Sequence, residues 1–324
     1  GRGSLADPDL PNKAKAGDLQ SIRYCIGCLQ GCTGALYVGG PITCLVNPSL
    51  GEEYKLDYSK VENPKSVLIA GAGPGGLEAA RAAAMKGHSV SIYEKREFLG
   101  GQFRSAAYPP SKGELANYTT WVTNESEKLG VNIYLNTEVT KELILDKKPD
   151  VVIAATGGNP LVPPIKGIDK AHVVTAEDVL LGNVSVGDKI VVAGGGEVGS
   201  ETAAHLGMQQ REVSIVEMRS AICMDLDGVN KYYLKKILNE YEVGAYVNTK
   251  VVEILDDGVI VENSQGQFTL AAETVVLALG YKPNNGLTEQ LKEIHHNVIT
   301  IGGALKTGNA LDAIKEGFDV GISL

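Results

Sequence analysis

Short apolar runs, each followed by a glycine turn and a helix of small residues, dominate the hydrophobic pattern of this chain. The clearest example covers residues 67–95, where the apolar run 67–70 leads through the turn into an alanine-rich helix. A second apolar run, 90–93, ends at Glu94. This order of elements predicts a strand, a tight turn, a helix and a second strand of a parallel sheet.

The same unit occurs a second time, 123 positions further along the chain. Residues 190–218 repeat the apolar run, the turn, the small-residue helix and the terminal acid, with Glu217 in the place of Glu94. The glycines of both turns have G-x-G-x-x-G spacing: Gly71, Gly73 and Gly76 in the first copy, Gly194, Gly196 and Gly199 in the second. Between a strand and a helix, this spacing indicates a dinucleotide-binding turn, the alternative being a purely structural turn.

Each position of such a turn has a physical role. The first glycine permits the tight turn, the second lets the backbone approach a pyrophosphate, and the third lets helix and strand pack closely. The helix N-terminus offers N–H groups and a partial positive charge to the phosphates, and the terminal carboxylate can accept hydrogen bonds from a ribose. Two turns predict two dinucleotides, with hydride transfer from a nicotinamide to a flavin. The predicted contact residues are Gly71, Ala72, Gly73, Pro74, Gly75, Gly76, Glu94 and Lys95 in the first copy, and Gly194, Gly196, Glu197, Val198, Gly199 and Glu217 in the second.

Other glycine-bearing turns follow apolar runs and extend the predicted sites. A Gly-Gly pair comes soon after Glu94, and a Thr-Gly-Gly turn ends the strand predicted at 151–155. Backbone pressed against a cofactor favours glycine at such places, although a simple turn is the alternative for the first pair. The residues predicted here are Gly101, Gln102, Ala155, Thr156, Gly157, Gly280, Gly302 and Gly303.

Helical periodicity indicates two amphipathic helices outside the repeat. One has Leu115, Tyr118, Val122 and Leu129 on one face. The second, near 229–241, has three large side chains at helical spacing that we interpret as core: Tyr233, Ile237 and Tyr241. Residues 251–262 are predicted to form a hairpin that turns at Asp257-Gly258.

These elements predict an α/β fold with two Rossmann-like dinucleotide-binding domains, one inserted in the other. A cysteine-rich loop segment precedes both domains in the sequence. The tail from Val298 has a strand–glycine–helix unit without a counterpart in the second copy, so we expect it to return to the first domain. The predicted boundaries are 1–63 for the cysteine loop and linker, 64–160 with 272–324 for a flavin domain, and 161–271 for a nicotinamide domain.

Four of the five cysteines have C-x2-C-x3-C-x11-C spacing: Cys25, Cys28, Cys32 and Cys44. Three thiolates within eight residues of a glycine-containing loop, with a fourth from the next loop, suit the corners of an iron–sulfur cluster. Zinc and free core cysteines are the alternatives, but a zinc site usually pairs two C-x2-C knuckles and the second is missing. The fifth cysteine, Cys223, has no such partner and is interpreted as structural.

Composition excludes several classes of function. Hydrophobic residues make up 44% and charged residues 21% of 324 residues, and the net charge is −9, so nucleic acid is not an expected partner. No apolar run reaches the roughly 18 residues of a membrane span. Clustered cysteines suit a reducing compartment, so we expect a cytoplasmic protein. The N-terminus has neither a signal-peptide pattern nor an initiator Met, so we expect a fragment of a longer chain.

The second turn carries a cue to the identity of its dinucleotide. A carboxylate at Glu217 accepts from a ribose 2′-hydroxyl and repels a 2′-phosphate. Arg219 is close enough in sequence to pair with such a phosphate instead. On balance the pattern favours NADH over NADPH.

The two glycine turns, the four-cysteine loop and the tail together resemble the C-terminal half of the 2,4-dienoyl-CoA reductase and 2-enoate reductase family. These are iron–sulfur NADH:flavin oxidoreductases, related to trimethylamine dehydrogenase. The most specific motifs are 25–32, 43–48 and 71–94, and the resemblance covers nearly the whole chain. It implies a [4Fe-4S] cluster on Cys25, Cys28, Cys32 and Cys44, FAD at the first turn and NAD(P)H at the second.

The resemblance also implies an N-terminal TIM barrel that carries FMN and the substrate, and residues 1–8 resemble the end of that barrel. The sequence leaves open whether the protein forms a homo-oligomer. Gly303 departs from the family pattern, which has an Asp that meets the flavin ribityl chain. ADP in the first site is therefore an alternative to FAD.

The expected function is the NADH-oxidising, electron-transferring half of an enoate or dienoyl-CoA reductase. No catalytic side chain is expected, because hydride transfer needs positioning rather than an acid or base. The alternatives are a non-redox docking module with ADP in the first site, and the NADH-oxidising subunit of another flavin complex.

Overall fold

The computed structural model describes residues 1–292, 294–295 and 297–324. The helices are α1 Arg2–Ala6, α2 Leu10–Ala16, α3 Ala35–Tyr37, α4 Pro74–Met85, α5 Gln102–Ser105, α6 Leu115–Lys128, α7 Lys141–Lys147, α8 Ala176–Leu181, α9 Glu197–Met208, α10 Gly228–Glu240, α11 Gly286–Leu291 and α12 Ala310–Ser323. The strands are β1 Ser66–Ala70, β2 Ser89–Tyr93, β3 Asn132–Tyr134, β4 Val151–Ala154, β5 Gly158–Pro160, β6 Val173–Thr175, β7 Lys189–Ala193, β8 Glu212–Val216, β9 Gly244–Tyr246, β10 Lys250–Ile254, β11 Gly258–Asn263, β12 Gly266–Ala271, β13 Thr274–Leu277, β14 Tyr281–Pro283 and β15 Val298–Thr300.

The chain forms two compact units. The first consists of Gly1–Arg104, Glu114–Asn159 and Lys282–Leu324, and the second of Ser105–Gly113 and Pro160–Tyr281. The first unit thus includes the cysteine segment, and the second takes in a short loop from the region before α6. The domain boundaries inferred from sequence remain a prediction about cofactor domains.

A five-stranded parallel sheet forms the centre of each unit. The order is β15-β4-β1-β2-β3 in the first unit and β6-β13-β7-β8-β9 in the second. Strands that are buried on both faces consist of continuous apolar residues. The sequence therefore predicts β1, β4 and β7 from their apolar runs alone. The α/β fold with two Rossmann-like sheets is therefore confirmed.

The pairing register repeats together with the sequence. Ala70 lies opposite Tyr93 in the first sheet, and their counterparts Ala193 and Val216 lie opposite each other in the second. The edge strands differ, because β15 comes from the tail of the chain whereas β6 comes from the head of the second unit. The tail strand joins the first sheet beside β4, as the sequence predicts.

Helix α12 packs along α4 through glycines. A Cβ added to Gly321 would lie 2.6 Å from the carbonyl oxygen of Ala79, and one added to Gly317 would overlap the Gly75 carbonyl oxygen. A Cβ on Gly75 would in turn lie 2.7 Å from the Ala313 carbonyl oxygen. Small residues let the two backbones approach closely, so this helix pair fixes the position of the first glycine turn.

The second sheet is covered on both faces. One face packs against α8, α9 and α10 through a core that includes Ile190, Ile215 and Leu206. The other face packs against the antiparallel sheet β10-β11-β12 through Val191, Val216 and residues of β11. The hairpin predicted at 251–262 corresponds to β10 and β11 and is confirmed.

Two side chains predicted to be buried are exposed. Leu129 lies just after α6 and before Gly130, whose φ is +83°, so the chain leaves the helix axis there and Leu129 is 41% exposed. Tyr233 of α10 is 59% exposed, because the buried stripe of that helix consists of Leu234 and Leu238. A shift of one position moves a side chain by about 100° around a helix, enough to change the face.

Candidate functional site

The first glycine turn follows β1 directly and has little room for side chains. Gly71 has φ +103°, and a Cβ there would overlap the carbonyl oxygen of Ala155 at the end of β4. A Cβ on Gly76 would overlap the Gly71 carbonyl oxygen. By contrast, nothing lies within 4 Å of a Cβ added to Gly73, the residue before α4. The turn is therefore closely packed at Gly71 and Gly76 but open at Gly73. This arrangement leaves room for a group that approaches the helix N-terminus.

Glu94 closes this turn from the end of β2. Its carboxylate is buried and accepts hydrogen bonds from the backbone N–H groups of Ala72 and Arg96, both over 2.9 Å. A carboxylate has about four acceptor positions, so two remain for the hydroxyls of a ribose. The neighbouring Lys95 is exposed.

The Gly-Gly pair after Glu94 lies against the first turn. A Cβ on Gly101, whose φ is +52°, would be 3.1 Å from the Cα of Gly73. The amide of Gln102 donates to the carbonyl oxygen of Gly158 over 3.3 Å. These contacts bring Gly101 and Gln102 beside the residues predicted from the turn itself.

Two further loops reach the same edge of the first sheet, because β1, β4 and β15 are parallel neighbours. After β4, the Thr156 hydroxyl donates to the Asn284 carbonyl oxygen over 2.6 Å, and Gly157 has φ +72°. After β15, a Cβ on Gly303 would lie 3.1 Å from the Gly157 carbonyl carbon. The N–H of Gly302 donates to the carboxylate of Glu316 on α12 over 2.7 Å. The sequence-predicted residues of the first unit are thus brought together, except that Gly75 faces α12.

The second turn reproduces the first in its own unit. Gly194 has φ +106°, and Cβ atoms on Gly194 and Gly199 would overlap backbone carbonyl oxygens as in the first copy. The buried Glu217 carboxylate accepts from the N–H groups of Gly195 and Arg219, both over 2.7 Å. Burial opposes ionisation of Glu217, but these N–H groups and the Arg219 guanidinium outweigh it and lower its pKa.

The Arg219 side chain pairs with Glu217. Its Nε lies 3.3 Å from Glu217 Oε1. The Arg219 guanidinium, which could otherwise bind a 2′-phosphate, is thus paired with Glu217, whose carboxylate would repel that phosphate.

A side chain covers the second turn where the first is open. The Asp225 carboxylate accepts from the N–H of Glu197, the first residue of α9, over 3.0 Å. A Cβ on Gly196 would lie 2.8 Å from Asp225 Oδ2. Val198, in the place of Gly75, is 39% exposed, and Gly280, after β13, has φ +95°.

Acidic side chains and one lysine surround the start of α9. Lys112 lies 2.6 Å from Glu201 and 3.7 Å from Glu197. Burial, with Glu201, Asp225 and Asp227 nearby, raises the pKa of Glu197 to about 7, although Lys112 opposes the rise. Burial likewise raises the pKa of Glu201.

The four clustered cysteines line a single pocket together with Arg2 and apolar side chains of the same segment. Among residues 1–292, 294–295 and 297–324, no three His, Cys, Asp or Glu side chains are arranged to hold one metal ion. A cubane cluster takes one thiolate at each of four irons, so its ligands surround a larger body than one ion does. The donor set and its arrangement around a pocket therefore fit an iron–sulfur cluster.

Backbone N–H groups point at these sulfurs. The Gly27 N–H donates to Cys25 Sγ over 3.5 Å. Burial raises the pKa of Cys28 to about 11 against the opposing effect of a backbone N–H from Gln30, and burial also raises that of Cys44. A cationic metal centre would offset this cost of forming thiolates.

Gly31 allows the fourth cysteine to join the other three. A Cβ on Gly31 would lie 2.7–2.9 Å from atoms of Thr43, and the Thr43 N–H donates to the Gly31 carbonyl oxygen over 2.7 Å. Because Cys44 follows Thr43 and Cys32 follows Gly31, this approach carries both cysteines to the same pocket.

Arg23 anchors the cysteine segment. Its N–H and Nε donate to Asp7 and to the Ala6 carbonyl oxygen over 2.8 and 2.7 Å, and its Nη2 donates to Asn47 over 2.9 Å. Its guanidinium lies over the Trp121 ring, 4.9 Å from the centroid. Sequence reasoning missed Arg23, Lys112 and Asp225. Only the position of Asp225, two residues before the Asp227 cap of α10, could have drawn attention to it.

A family model described as pyridine nucleotide-disulphide oxidoreductase matches residues 65–310. The chain belongs to this oxidoreductase family, which supports an FAD and an NAD(H) site. The match includes both glycine turns.

Several proteins are similar to nearly the whole chain. It is 38% identical to an NADH oxidase of Thermoanaerobacter brockii, over 99% of this chain and 50% of the relative. It is 35% identical both to a metal reductase of Desulforamulus reducens and to a cinnamate reductase of Clostridium sporogenes, over 99% of this chain and 53% and 48% of those relatives. A solved 2-naphthoyl-CoA reductase superposes with a TM-score of 0.96 at 34% identity, covering 100% of this chain and 50% of that one.

The chain thus spans about half the length of the relatives it matches. The resemblance to the C-terminal half of the 2,4-dienoyl-CoA reductase and 2-enoate reductase family is confirmed. No helix formed by the described residues combines the length and the apolar character needed to cross a membrane.

Proposed function

We propose that this chain is the NADH-oxidising, electron-transferring half of an iron–sulfur flavoprotein reductase. One observation carries the proposal: a single chain contains two glycine turns closed by the buried carboxylates Glu94 and Glu217, and a pocket lined by four cysteines. When bound, FAD supplies hydride acceptance and single-electron release, and a [4Fe-4S] cluster supplies one-electron transfer.

The first turn would hold FAD. The open N-terminus of α4 at Gly73 suits its pyrophosphate, and the spare acceptor positions of Glu94 suit the adenosine ribose. The glycines at 101, 157 and 303 leave backbone N–H groups, rather than side chains, around this edge of the sheet. The predicted contact residues of the first unit are therefore assigned to FAD.

The second turn would hold NADH in preference to NADPH. The pKa of Glu217 is lowered, so its carboxylate is charged at neutral pH and would repel a 2′-phosphate. Arg219 is paired with Glu217 and would have to leave it before binding that phosphate. These two residues position the dinucleotide, and no side-chain acid or base is needed for a hydride.

Four thiolates at Cys25, Cys28, Cys32 and Cys44 would ligate the cluster. Backbone N–H groups directed at the sulfurs stabilise thiolates and are a means of setting cluster potential. Leu5, Ile26 and Val46 lie beside the cysteines in this pocket, and an apolar shell of this kind influences the potential of a cluster. A reducing, cytoplasmic location suits such a site.

The test uses anaerobically prepared protein with measured flavin and iron content. We expect NADH to bleach the visible flavin absorbance and ferricyanide to be reduced in steady state. A Gly76→Ala variant should lose flavin, because its Cβ overlaps the Gly71 carbonyl oxygen. Gly113→Ala is the matched control, since nothing lies within 4 Å of a Cβ there. A flavin that NADH leaves oxidised would refute the proposal.

The substrate chemistry would require a further domain. A TIM barrel takes about 250 residues, and the two dinucleotide units and the cysteine segment account for this chain. We propose an FMN-containing barrel as its partner, and a homo-oligomer as a possible assembly of the parent. The chain alone should therefore reduce ferricyanide but neither cinnamate nor a dienoyl-CoA. Turnover of either would reveal a substrate site within these 324 residues.

A docking module with ADP in the first site is the second candidate. The close approach of Gly303 to Gly157 favours it, because a Cβ at residue 303 would lie 3.1 Å from the Gly157 carbonyl carbon and residue 303 supplies no carboxylate for a ribityl chain. Chromatography of the nucleotide released by heating distinguishes the two. FAD supports the reductase, and ADP with no flavin supports the docking module.

A further inference from the structure

Asp225 occupies the N-terminus of α9, at the place where the equivalent turn of the first unit is open. Its Oδ2 accepts from the N–H of Glu197 over 3.0 Å and lies 2.8 Å from the Cβ position of Gly196. The same position on Gly73 has no atom within 4 Å. The two copies share spacing, register and the buried acid, but of the two turns the second alone has a carboxylate at its middle glycine.

The loop that carries Asp225 lies directly on the turn. The N–H of Cys223 donates to the Gly195 carbonyl oxygen over 2.8 Å, and Ile222 Cγ2 is 2.7 Å from the Cβ position of Gly195. Gly195 and Gly196 therefore make room for this loop. Cys223 has φ +58°, a conformation that non-glycine residues adopt at a cost in free energy.

A carboxylate at a helix N-terminus interacts with the same N–H groups and the same partial charge as a phosphate does. The dinucleotide pyrophosphate is itself anionic, so both cannot occupy this place without repulsion. The start of α9 is already acidic, with Glu197, Glu201 and Asp227 close by and Lys112 as the counter-charge.

We propose that Asp225 competes with the dinucleotide pyrophosphate for the N-terminus of α9. Binding at the second turn then requires the loop 219–227 to move and carry Asp225 away from the Glu197 N–H. This inference rests on the proposed NADH site. It makes Asp225 a determinant of dinucleotide affinity that the first turn does not have.

The left-handed backbone conformation of Cys223 costs free energy in the loop, and movement of the loop can relieve that cost. When Asp225 leaves the Glu197 N–H, the cap is replaced by the incoming phosphate, and the loop is free to relax its left-handed residue. The opening step would precede binding. The observed association rate should therefore level off at high NADH concentration.

The experiment titrates the flavin-loaded chain of 324 residues with NAD⁺ and, separately, titrates the same chain, its flavin already reduced, with NADH, so that no hydride is transferred during either titration. Both titrations are made at constant salt, by calorimetry and stopped-flow fluorescence. Asp225→Asn keeps an acceptor for the Glu197 N–H but removes the charge, whereas Asp225→Ala removes both. We expect both to lower the Kd roughly 5- to 30-fold, the factor that corresponds to 1–2 kcal/mol. Glu240→Gln, an exposed carboxylate on α10, makes the same charge change and should leave the Kd within about twofold.

A second measurement separates competition from folding. Without dinucleotide, Asp225→Ala should lower the melting temperature, because a helix cap is lost. A saturating dinucleotide should raise the melting temperature more in this variant than in the wild type, because tighter binding stabilises more.

If the wild type binds dinucleotide and both variants bind it with the same or a higher Kd, the inference is overturned and the NADH site stands. If neither the wild type nor the variants bind any dinucleotide, the NADH assignment fails and the inference fails with it.

Discussion

The indole N–H of Trp121 donates to the carbonyl oxygen of Ser21 over 3.1 Å, which joins α6 to the chain four residues before Cys25. The Arg81 guanidinium also lies over this ring, 5.4 Å from the centroid, and donates to the buried Glu78 carboxylate over 2.5 Å. The cysteine segment is thus held to the helices of the first unit by the one tryptophan of the chain.

We expect Trp121→Phe to lower the free energy of unfolding by about 0.5–1.5 kcal/mol, because the Ser21 carbonyl oxygen loses one of its two donors and keeps only the Lys13 ammonium. Denaturant unfolding followed by circular dichroism measures this. Tyr54→Phe, at an 82% exposed position, should cost less than about 0.5 kcal/mol. Equal stability of wild type and Trp121→Phe would show that the hydrogen bond is not what holds the segment.

Anaerobically prepared protein should contain about four irons and four labile sulfides per chain. We expect Cys28→Ala to lose most of both, since it removes one of four corners. Cys223→Ala is the control, because Cys223 belongs to the buried core of the second unit and is not among the residues that line the pocket. Zinc in place of iron in such preparations would contradict the assignment.

Glu94→Gln should weaken FAD retention by about 1.5–3 kcal/mol, the scale of a hydrogen bond to a charged group. Glu94 accepts from two backbone N–H groups, those of Ala72 and Arg96, and an amide would face one of them with its own donor. Flavin content after dialysis, by absorbance, measures the change. Glu97→Gln, three residues on and exposed, should retain wild-type flavin.

Glu217→Ala should narrow the preference for NADH over NADPH by roughly 1–2 kcal/mol. The reason is that it removes both the acceptor for a 2′-hydroxyl and the partner that holds Arg219. Rates of flavin reduction by each dinucleotide give the ratio, with Glu212→Ala as an exposed control at the start of the same strand. Faster reduction of the wild type by NADPH would mean that Arg219 outweighs Glu217.

Dinucleotide binding at the second turn should weaken as the pH rises through about 7. Burial first, and then Glu201, Asp225 and Asp227, raise the pKa of Glu197 to about 7, while Lys112 opposes them. Above that pH, Glu197 adds a negative charge beside the pyrophosphate position.

The same shift affects stability in a defined direction. Since the folded pKa exceeds the ordinary 4.5, the fold favours protonated Glu197. Its contribution is complete below pH 4.5 and is lost as the pH rises to about 7. Glu197→Gln should flatten the Kd profile across this range, and Glu240→Gln should not. A wild-type profile that is already flat would contradict the assignment.

Local pattern made much of this structure predictable. The turn glycines and the acids Glu94 and Glu217 lie within one strand–helix–strand unit, so their geometry follows from a run of about 30 residues. The cysteine spacing is likewise local, and the tail strand could be placed because the second copy lacked its equivalent.

What escaped prediction depends on contacts between distant parts of the sequence. Arg23 meets Trp121 across 98 positions, and Lys112 reaches α9 from a loop more than 80 residues earlier. Asp225 follows β8 closely, but only the return of its loop onto Gly196 gives it significance. The predicted burial of Tyr233 and Leu129 was wrong, because helical periodicity alone defines the buried face of a helix less precisely than the elements that pack against it.

The discontinuous first unit has a consequence for the order of events during synthesis. Its edge strand β15 and its helix α12 come from residues 298–323, and Gly75 of the first turn lies against α12. On a ribosome that adds roughly 5–20 residues per second, every residue of the second unit emerges before these elements do. The second unit can therefore fold on the nascent chain while the first still lacks a strand and a helix. If the first turn holds FAD as proposed, we expect its loading to come late in the synthesis of this protein.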